Sequence, residues 1–225
     1  MCRRNGLPVF TFCNKLDRES LSPFELCDQI EAEFKLPTFA VTWPIGCGDR
    51  FRGVFDRLAR RVTLFRKVAS GSQAATESTM QLDDPRLKSL IEPELYDTLL
   101  EDVALLDEVS GTELDTAAIW AGKLTPVFFG SAANTFGVKT FLDTFLAYSA
   151  PPRPVKLAGG GGQSVDPAGA NFSGFVFKLQ ANMDPRHRDK VAFVRVVSGE
   201  FKRGMTVTHG AWCITHFVSS PPPFP

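Results

Sequence analysis

Apolar positions in the first 150 residues alternate between short continuous runs and helical spacing. Residues 7–13 and 125–132 are apolar runs of the kind found in buried strands. Apolar residues recur every three or four positions in the segments that we predict to be helices, which are 23–36, 83–109, 114–120 and 138–148. Buried strands that alternate with amphipathic helices predict an α/β domain with a parallel sheet.

The remaining segments predict further strands and then a change of architecture. Residues 38–45 predict a strand, residues 51–68 one strand or two, and residues 69–79 a loop. Residues 151–170, which begin with prolines and include the glycine run 159–162, predict a linker. Beyond it, residues 172–179 and 191–197 predict strands and residues 198–204 a hairpin turn, so the second domain is expected to be all-β.

Composition excludes several classes of protein. The hydrophobic fraction of 44% and the charged fraction of 22% are those of an ordinary globular chain, and Lys+Arg and Asp+Glu are both 25. The five cysteines form no CxxC pair, which argues against zinc and for free thiols in a reducing compartment. Because no stretch approaches about 18 apolar residues, we expect a cytoplasmic protein with no membrane partner, and nothing indicates DNA.

Asn14-Lys15-Leu16-Asp17, at the end of the first apolar run, has the pattern N-K-x-D that reads a guanine base. The Asp carboxylate can accept from both the ring N1–H and the exocyclic amino group, a pair of donors that adenine does not offer. The Asn side chain can reach the other edge of the base, and the Lys stem can lie across its face. A surface loop of ordinary polar residues is the alternative, because a four-letter motif also arises by chance.

A second candidate loop, Gly130-Ser131-Ala132, follows the apolar run that begins at residue 125. Its small residues would allow close approach of the base, and a backbone N–H could meet the base carbonyl. The 112 residues between the two loops are too many for one strand–helix step. A subdomain is therefore expected between them.

This order of motifs resembles the translational GTPases, most closely the release factor 3 group, from about residue 2 to about residue 208. The resemblance is carried by residues 12–18, 42–48, 125–132 and, above all, 172–193. It implies the C-terminal part of a P-loop-type GTPase domain with an inserted α+β subdomain, followed by an incomplete all-β barrel. The implied boundaries are 1–150 for the partial GTPase domain, about 38–122 for the insertion, 151–170 for the linker and 171–209 for the barrel segment.

The resemblance also implies function. Asn14, Lys15 and Asp17 match the base-reading motif, and Ser131-Ala132 the second base loop, with Gly130 before them. GTP or GDP with Mg²⁺ is the implied ligand, and the ribosome with its RNA and class I release factors are the implied partners. The implied activity is GTP hydrolysis that recycles class I release factors during translation termination. An elongation factor G-like GTPase is the second candidate identity.

The phosphate-binding half of such a site is missing from the sequence. No G-x-x-x-x-G-K-[ST] pattern occurs, and neither does the family's D-x-x-G switch, so we expect a fragment without catalytic or metal-binding residues. Since phosphate contacts supply much of nucleotide affinity, we expect little or no measurable GTP binding by this chain alone. Residues 210–225 do not resemble the family and are expected to be a disordered tail.

Two clusters of basic residues need an interpretation. Residues 178–203 hold seven Lys or Arg against three acids, and Arg186, His187, Arg188 and Lys190 could contact ribosomal RNA phosphates. Their alternative is a solvated hairpin loop. The arginines between 50 and 61 are expected to form a solvated strand face. Three hypotheses for the whole chain stay open: the middle of a GTPase active only in its parent, a non-hydrolysing ribosome-binding module, and a non-functional product.

Overall fold

The computed structural model describes Cys2 and residues 6–65, 77–157, 162–181, 190–209 and 214–217. The chain divides into two units, Met1–Ala150 and Pro151–Pro225. The strands of the first unit are β1 (Thr11–Cys13), β2 (Thr38–Ala40), β3 (Thr42–Ile45), β4 (Gly53–Asp56), β5 (Arg61–Phe65), β6 (Glu77–Gln81) and β7 (Thr125–Phe129). Its helices are α1 (Pro23–Phe34), α2 (Leu87–Leu90), α3 (Pro93–Ser110), α4 (Thr116–Trp120) and α5 (Val138–Tyr148).

A three-stranded parallel sheet with the order β1-β7-β2 forms the centre of the first unit. β7 pairs with β1 at Val127 and with β2 at Thr125, and the side chains of Val127, Phe128 and Phe129 are fully buried. Phe129 belongs to one core cluster and Phe128 to another, as expected for the alternating faces of a strand that is covered on both sides. The predicted α/β fold is confirmed.

The predicted strand 38–45 is two strands that belong to different sheets. After β2, the N–H of Val41 donates to the Val127 carbonyl oxygen at 2.8 Å, and Thr42 Oγ1 accepts from the Phe129 N–H at 2.9 Å. β3 pairs with β4, so the antiparallel sheet β3-β4-β5-β6 begins at Thr42. Thr38–Ala40 remains in the parallel sheet, although the insertion was expected to begin at about residue 38.

The segment 51–81 supplies the other three strands of that sheet. The turn at residues 57–60 divides the predicted 51–68 segment into β4 and β5. Glu77–Gln81, whose first residues were expected in a loop, pairs with β5 as β6. Residues 66–76 lie outside the described residues.

Helix boundaries follow local chemistry. Ser22 caps α1: its Oγ accepts from the Glu25 N–H at 3.2 Å, and the Glu25 carboxylate accepts from the Ser22 N–H at 2.9 Å. The predicted helix 83–109 is two helices, α2 and α3. Pro93 begins α3, where its missing N–H leaves no helical hydrogen bond unmade, and the preceding Glu92 is extended.

Arg57 lies in the interior of the first unit, so the prediction of a solvated arginine face is wrong at this position. Its side chain has no exposed area, and its guanidinium donates to the carbonyl oxygens of Ala40 (2.9 Å) and Gly111 (2.6 Å) and to Asp107 Oδ1 (3.0 Å). A buried guanidinium needs such partners because an unpaired charge is costly away from water. Arg57 therefore ties β2 to the C-terminal end of α3.

The second unit is all-β, as predicted. Its strands are β8 (Val155–Lys156), β9 (Ser164–Val165), β10 (Ser173–Ala181), β11 (Lys190–Ser198), β12 (Thr206–His209) and β13 (Ile214–Phe217). They pair antiparallel as β8–β9, β10–β11 and β12–β13. The turn after β11 leads into β12, but β12 pairs with β13 and not with β11, so the hairpin predicted around residues 198–204 is wrong.

Candidate nucleotide-base site

The two predicted base loops lie side by side. β1 and β7 are adjacent and parallel, so the loops that follow Cys13 and Phe129 leave the sheet at the same edge. The Gly130 N–H donates to the Cys13 carbonyl oxygen, and the Leu16 N–H donates to the Gly130 carbonyl oxygen, both at 3.1 Å. Backbone hydrogen bonds therefore join the loops before any ligand is present.

Asn14 makes the third link between the loops. Its Oδ1 accepts from the N–H of Lys15 and from the N–H of Ala132, each at 2.8 Å. Lys15 has a φ of +69°, the left-handed region, and its side chain is exposed. A backbone N–H of the second loop was predicted to meet the base carbonyl, and in this conformation the N–H of Ala132 in that loop donates to Asn14.

Asp17 has an unusual environment. Among the described residues, its Oδ1 is buried and has no hydrogen-bond partner. A buried carboxylate oxygen without a donor is unfavourable, so such an atom is a candidate acceptor for a ligand. Because Oδ1 is covered, it can accept a hydrogen bond from a base only if the Asp17 side chain or its neighbours move.

Gly130 and Ser131 stabilise the conformation of the second loop. A Cβ on Gly130 would lie 2.2 Å from the Phe136 carbonyl oxygen, so only glycine fits there. Ser131 is fully buried, its Oγ accepts from Asn134 Nδ2 at 2.9 Å, and its backbone exchanges hydrogen bonds with Phe136. Ala132 is the exposed residue of the three.

Sequence reasoning missed the part that Leu16 plays. This variable position of the motif is only 2% exposed and packs in the core cluster that includes Trp43, Ile45 and Phe51. Its carbonyl oxygen accepts from the Gly48 N–H at 2.9 Å. An apolar residue between two charged ones was the only available sign, and it did not reveal the partner.

Two half-buried thiols lie beneath the first loop. Burial raises the pKa of Cys13, which precedes Asn14, to about 11. Burial, with a smaller contribution from Cys13, raises the pKa of Cys27 in α1 to about 12. Both are therefore thiols at neutral pH, which suits their contact with the hydrophobic core.

The predicted RNA-contacting residues are mostly outside the described part of the chain. This holds for Arg186, His187 and Arg188, whereas Lys190 is exposed and begins β11, opposite Ala181. In the described part of the chain, no group of three or more His, Cys, Asp or Glu side chains could hold a metal ion. The helices that the structure describes include none that is long and apolar enough to cross a membrane.

Comparison with known proteins decides the family. Residues 1–151 match the family model described as elongation factor Tu GTP binding domain. The chain belongs to the translational GTPases. Residues 171–220 match the model for elongation factor G domain 2 and so extend past residue 209, where the barrel segment was expected to end.

The relatives of this translational GTPase chain include many proteins named peptide chain release factor 3. The protein from Rippkaea orientalis is 51% identical over 221 residues, which are 98% of this chain and 40% of that protein. The protein from Trichormus variabilis is 53% identical over 209 residues, 93% of this chain and 38% of that protein. The chain thus spans about 40% of the length of such relatives, and the predicted resemblance to release factor 3 is confirmed.

A solved structure supports the fold. A crystal structure of a protein from Thermus thermophilus superposes with a TM-score of 0.58 at 19% identity, covering 96% of this chain and 31% of that one.

Proposed function

We propose that this chain carries the guanine-reading half of a translation GTPase of the release factor 3 type. The observation that carries the proposal is the buried Asp17 Oδ1 without a donor, beside two loops joined by hydrogen bonds. The relatives named peptide chain release factor 3, at about 50% identity, support the choice within the family.

Each residue has a proposed role in reading the base. Asp17 accepts from the guanine N1–H and amino group, and Lys15 covers the face of the ring with its exposed stem. Asn14 either holds the Ala132 N–H or releases it to the base carbonyl. Gly130 and Ser131 keep the second loop in register and make no direct contact.

GTP or GDP with Mg²⁺ is the proposed ligand of the whole family member. Asp17 Oδ1, a buried acceptor without a donor, supports binding of the base at these loops once the side chain or its neighbours move to expose it. GTP, when bound, would supply the bond between the β- and γ-phosphates that the intact enzyme hydrolyses to give GDP and phosphate. We propose that phosphates and Mg²⁺ add little to binding by this chain, whose sequence has no phosphate-loop pattern.

We further propose the ribosome and class I release factors as partners of the intact protein. Within this chain, the residues proposed to contact ribosomal RNA are Arg186, His187, Arg188 and Lys190. Such contacts would weaken steeply with salt, since each one releases counterions from the RNA.

The test is a titration of the 225-residue chain, followed by NMR, with guanosine, adenosine and GDP–Mg²⁺. Guanosine is expected to bind in the millimolar range and adenosine more weakly by about tenfold or more, the value of a charge-assisted hydrogen bond. GDP–Mg²⁺ should bind no more than a few-fold tighter than guanosine. If a folded chain bound guanosine and adenosine equally, the proposed reading of the base would be wrong. If GDP bound with submicromolar affinity, this chain would have a phosphate-binding site, contrary to the proposal.

A further inference from the structure

The inserted segment contacts the base loop directly. Between β3 and β4, the chain passes through Gly46, Cys47 and Gly48 and places the Gly48 N–H 2.9 Å from the Leu16 carbonyl oxygen. Leu16 stands between Lys15 and Asp17 in the base-reading motif. Leu16, which joins Lys15 to Asp17, is therefore hydrogen-bonded to the insertion as well as to Gly130 at the end of β7.

Leu16 is held at three points. Its N–H donates to the Gly130 carbonyl oxygen, its carbonyl accepts from Gly48, and its side chain is 2% exposed within the core shared with Trp43 and Ile45. With both backbone groups bonded and the side chain packed, the residue has little freedom to rotate. The direction in which the next residue, Asp17, leaves the backbone is set by these contacts.

Glycine suits the backbone conformation at position 48. It is buried and has a φ of +58°, which residues with a Cβ adopt at a cost. A Cβ at this position would also lie 2.3 Å from Glu19 Oε1 and 3.4 Å from the Glu19 backbone nitrogen. A larger residue would therefore have to displace the Glu19 carboxylate, and the positive φ would strain the backbone that carries the Gly48 N–H.

We infer that Gly48 is a positioning residue for guanine recognition, through which the insertion sets the orientation of the Asp17 carboxylate. This inference rests on the proposed base-reading function. It gives the insertion a part in selecting the base through the backbone of Gly48. Removal of the Gly48–Leu16 contact should reduce discrimination at the guanine amino group more than it reduces binding of the rest of the base.

The test compares Gly48→Ala with Gly122→Ala in the 225-residue chain. Gly122 is the matched control because its φ is +66° and a Cβ there would meet nothing nearer than the Leu7 carbonyl oxygen at 3.8 Å. It precedes β7, whereas the base loop follows β7. Both changes strain the backbone, but only one touches the base loop. Should Gly48→Ala fail to fold, Gly48→Asn takes its place, since Asn tolerates positive φ better.

The first readout is amide hydrogen exchange by NMR without ligand. Gly48→Ala should speed exchange at the amides of Leu16 and Ala132 by about tenfold or more, and Gly122→Ala should not. Exchange at these amides that matches the wild type would overturn the inference, whatever the ligand measurements show.

The second readout is the ratio of guanosine to inosine affinity, because inosine lacks the amino group that Asp17 reads. We expect a ratio of about ten in the wild type and in Gly122→Ala, falling to about two in Gly48→Ala. If the ratio stays at ten in Gly48→Ala while exchange is faster, the positioning role is wrong and the proposed function stands. If the wild type itself does not discriminate, the proposed function fails and the positioning role fails with it.

Discussion

At the scale of single residues, the candidate site combines positions of very different burial. Asp17 Oδ1 is covered and has no donor among the described residues, whereas Lys15 and Ala132 are exposed. The sequence identified these residues by motif alone. It could not indicate that the Ala132 N–H donates to Asn14, because a 2.8 Å contact between residues 118 positions apart depends on strand order.

The thiols beneath the first loop should be slow to react. A pKa of about 11 at Cys13 leaves roughly one-hundredth of the thiolate that an ordinary thiol of pKa 9.0 has at pH 8. Alkylation by iodoacetamide at pH 8, measured by mass spectrometry, should modify the exposed Cys2 well before the half-buried Cys13 and Cys27. Raising the pH from 8 to 10 should accelerate alkylation of Cys13 throughout, because its pKa lies above this range. Equal rates at pH 8 in the folded chain would contradict the burial of these thiols.

At the scale of elements, the sequence predicted helices and strands well where local chemistry decides them. The Ser22–Glu25 capping box fixes the start of α1, and Pro93 explains why one apolar pattern holds two helices. What could not be predicted is pairing between distant elements. The arginines near residue 57 were expected in solvent because they are charged, which is all that the neighbouring sequence reveals. The acceptors that allow Arg57 to be buried lie far along the chain, in β2 and α3.

Loss of the hydrogen bonds made by the buried Arg57 guanidinium should destabilise the first unit. Arg57→Lys keeps the charge but cannot reach the Ala40, Asp107 and Gly111 oxygens together, so we expect unfolding free energy to fall by about 2–4 kcal/mol. Arg60→Lys is the control. Arg60 also pairs with Asp107, at 2.7 Å, but its side chain is 45% exposed, so its loss should cost less than about 1 kcal/mol. Urea denaturation measures both, and equal effects would show that the buried network contributes nothing special.

At the scale of the whole molecule, the two units differ in how much apolar surface they bury. The first contains strands whose side chains are fully covered. In the second, Phe177 is 63% and Leu179 is 68% exposed. Apolar residues predicted strands in both units, but the sequence alone did not indicate that β10 and β11 would bury so little, because burial depends on what packs against a strand.

This difference predicts unequal resistance to opening. Amides in β7, such as those of Val127 and Phe128, should exchange only through global unfolding of the first unit, whereas amides in β10 and β11 should exchange at least about a hundredfold faster. Native-state hydrogen exchange of the 225-residue chain, resolved by NMR, measures this. Protection of the Val194 amide equal to that of Val127 would contradict the expected difference.

The measurement that tests the central claim most directly is the base preference of Asp17→Asn. An amide at position 17 presents a donor where the carboxylate accepted, so it should suit the 2-keto group of xanthine and repel the amino group of guanine. In NMR titrations of the 225-residue chain, the wild type should prefer guanosine to xanthosine, and the variant should reverse the preference, each by about tenfold. A folded Asp17→Asn chain that still prefers guanosine would show that Asp17 does not read the base.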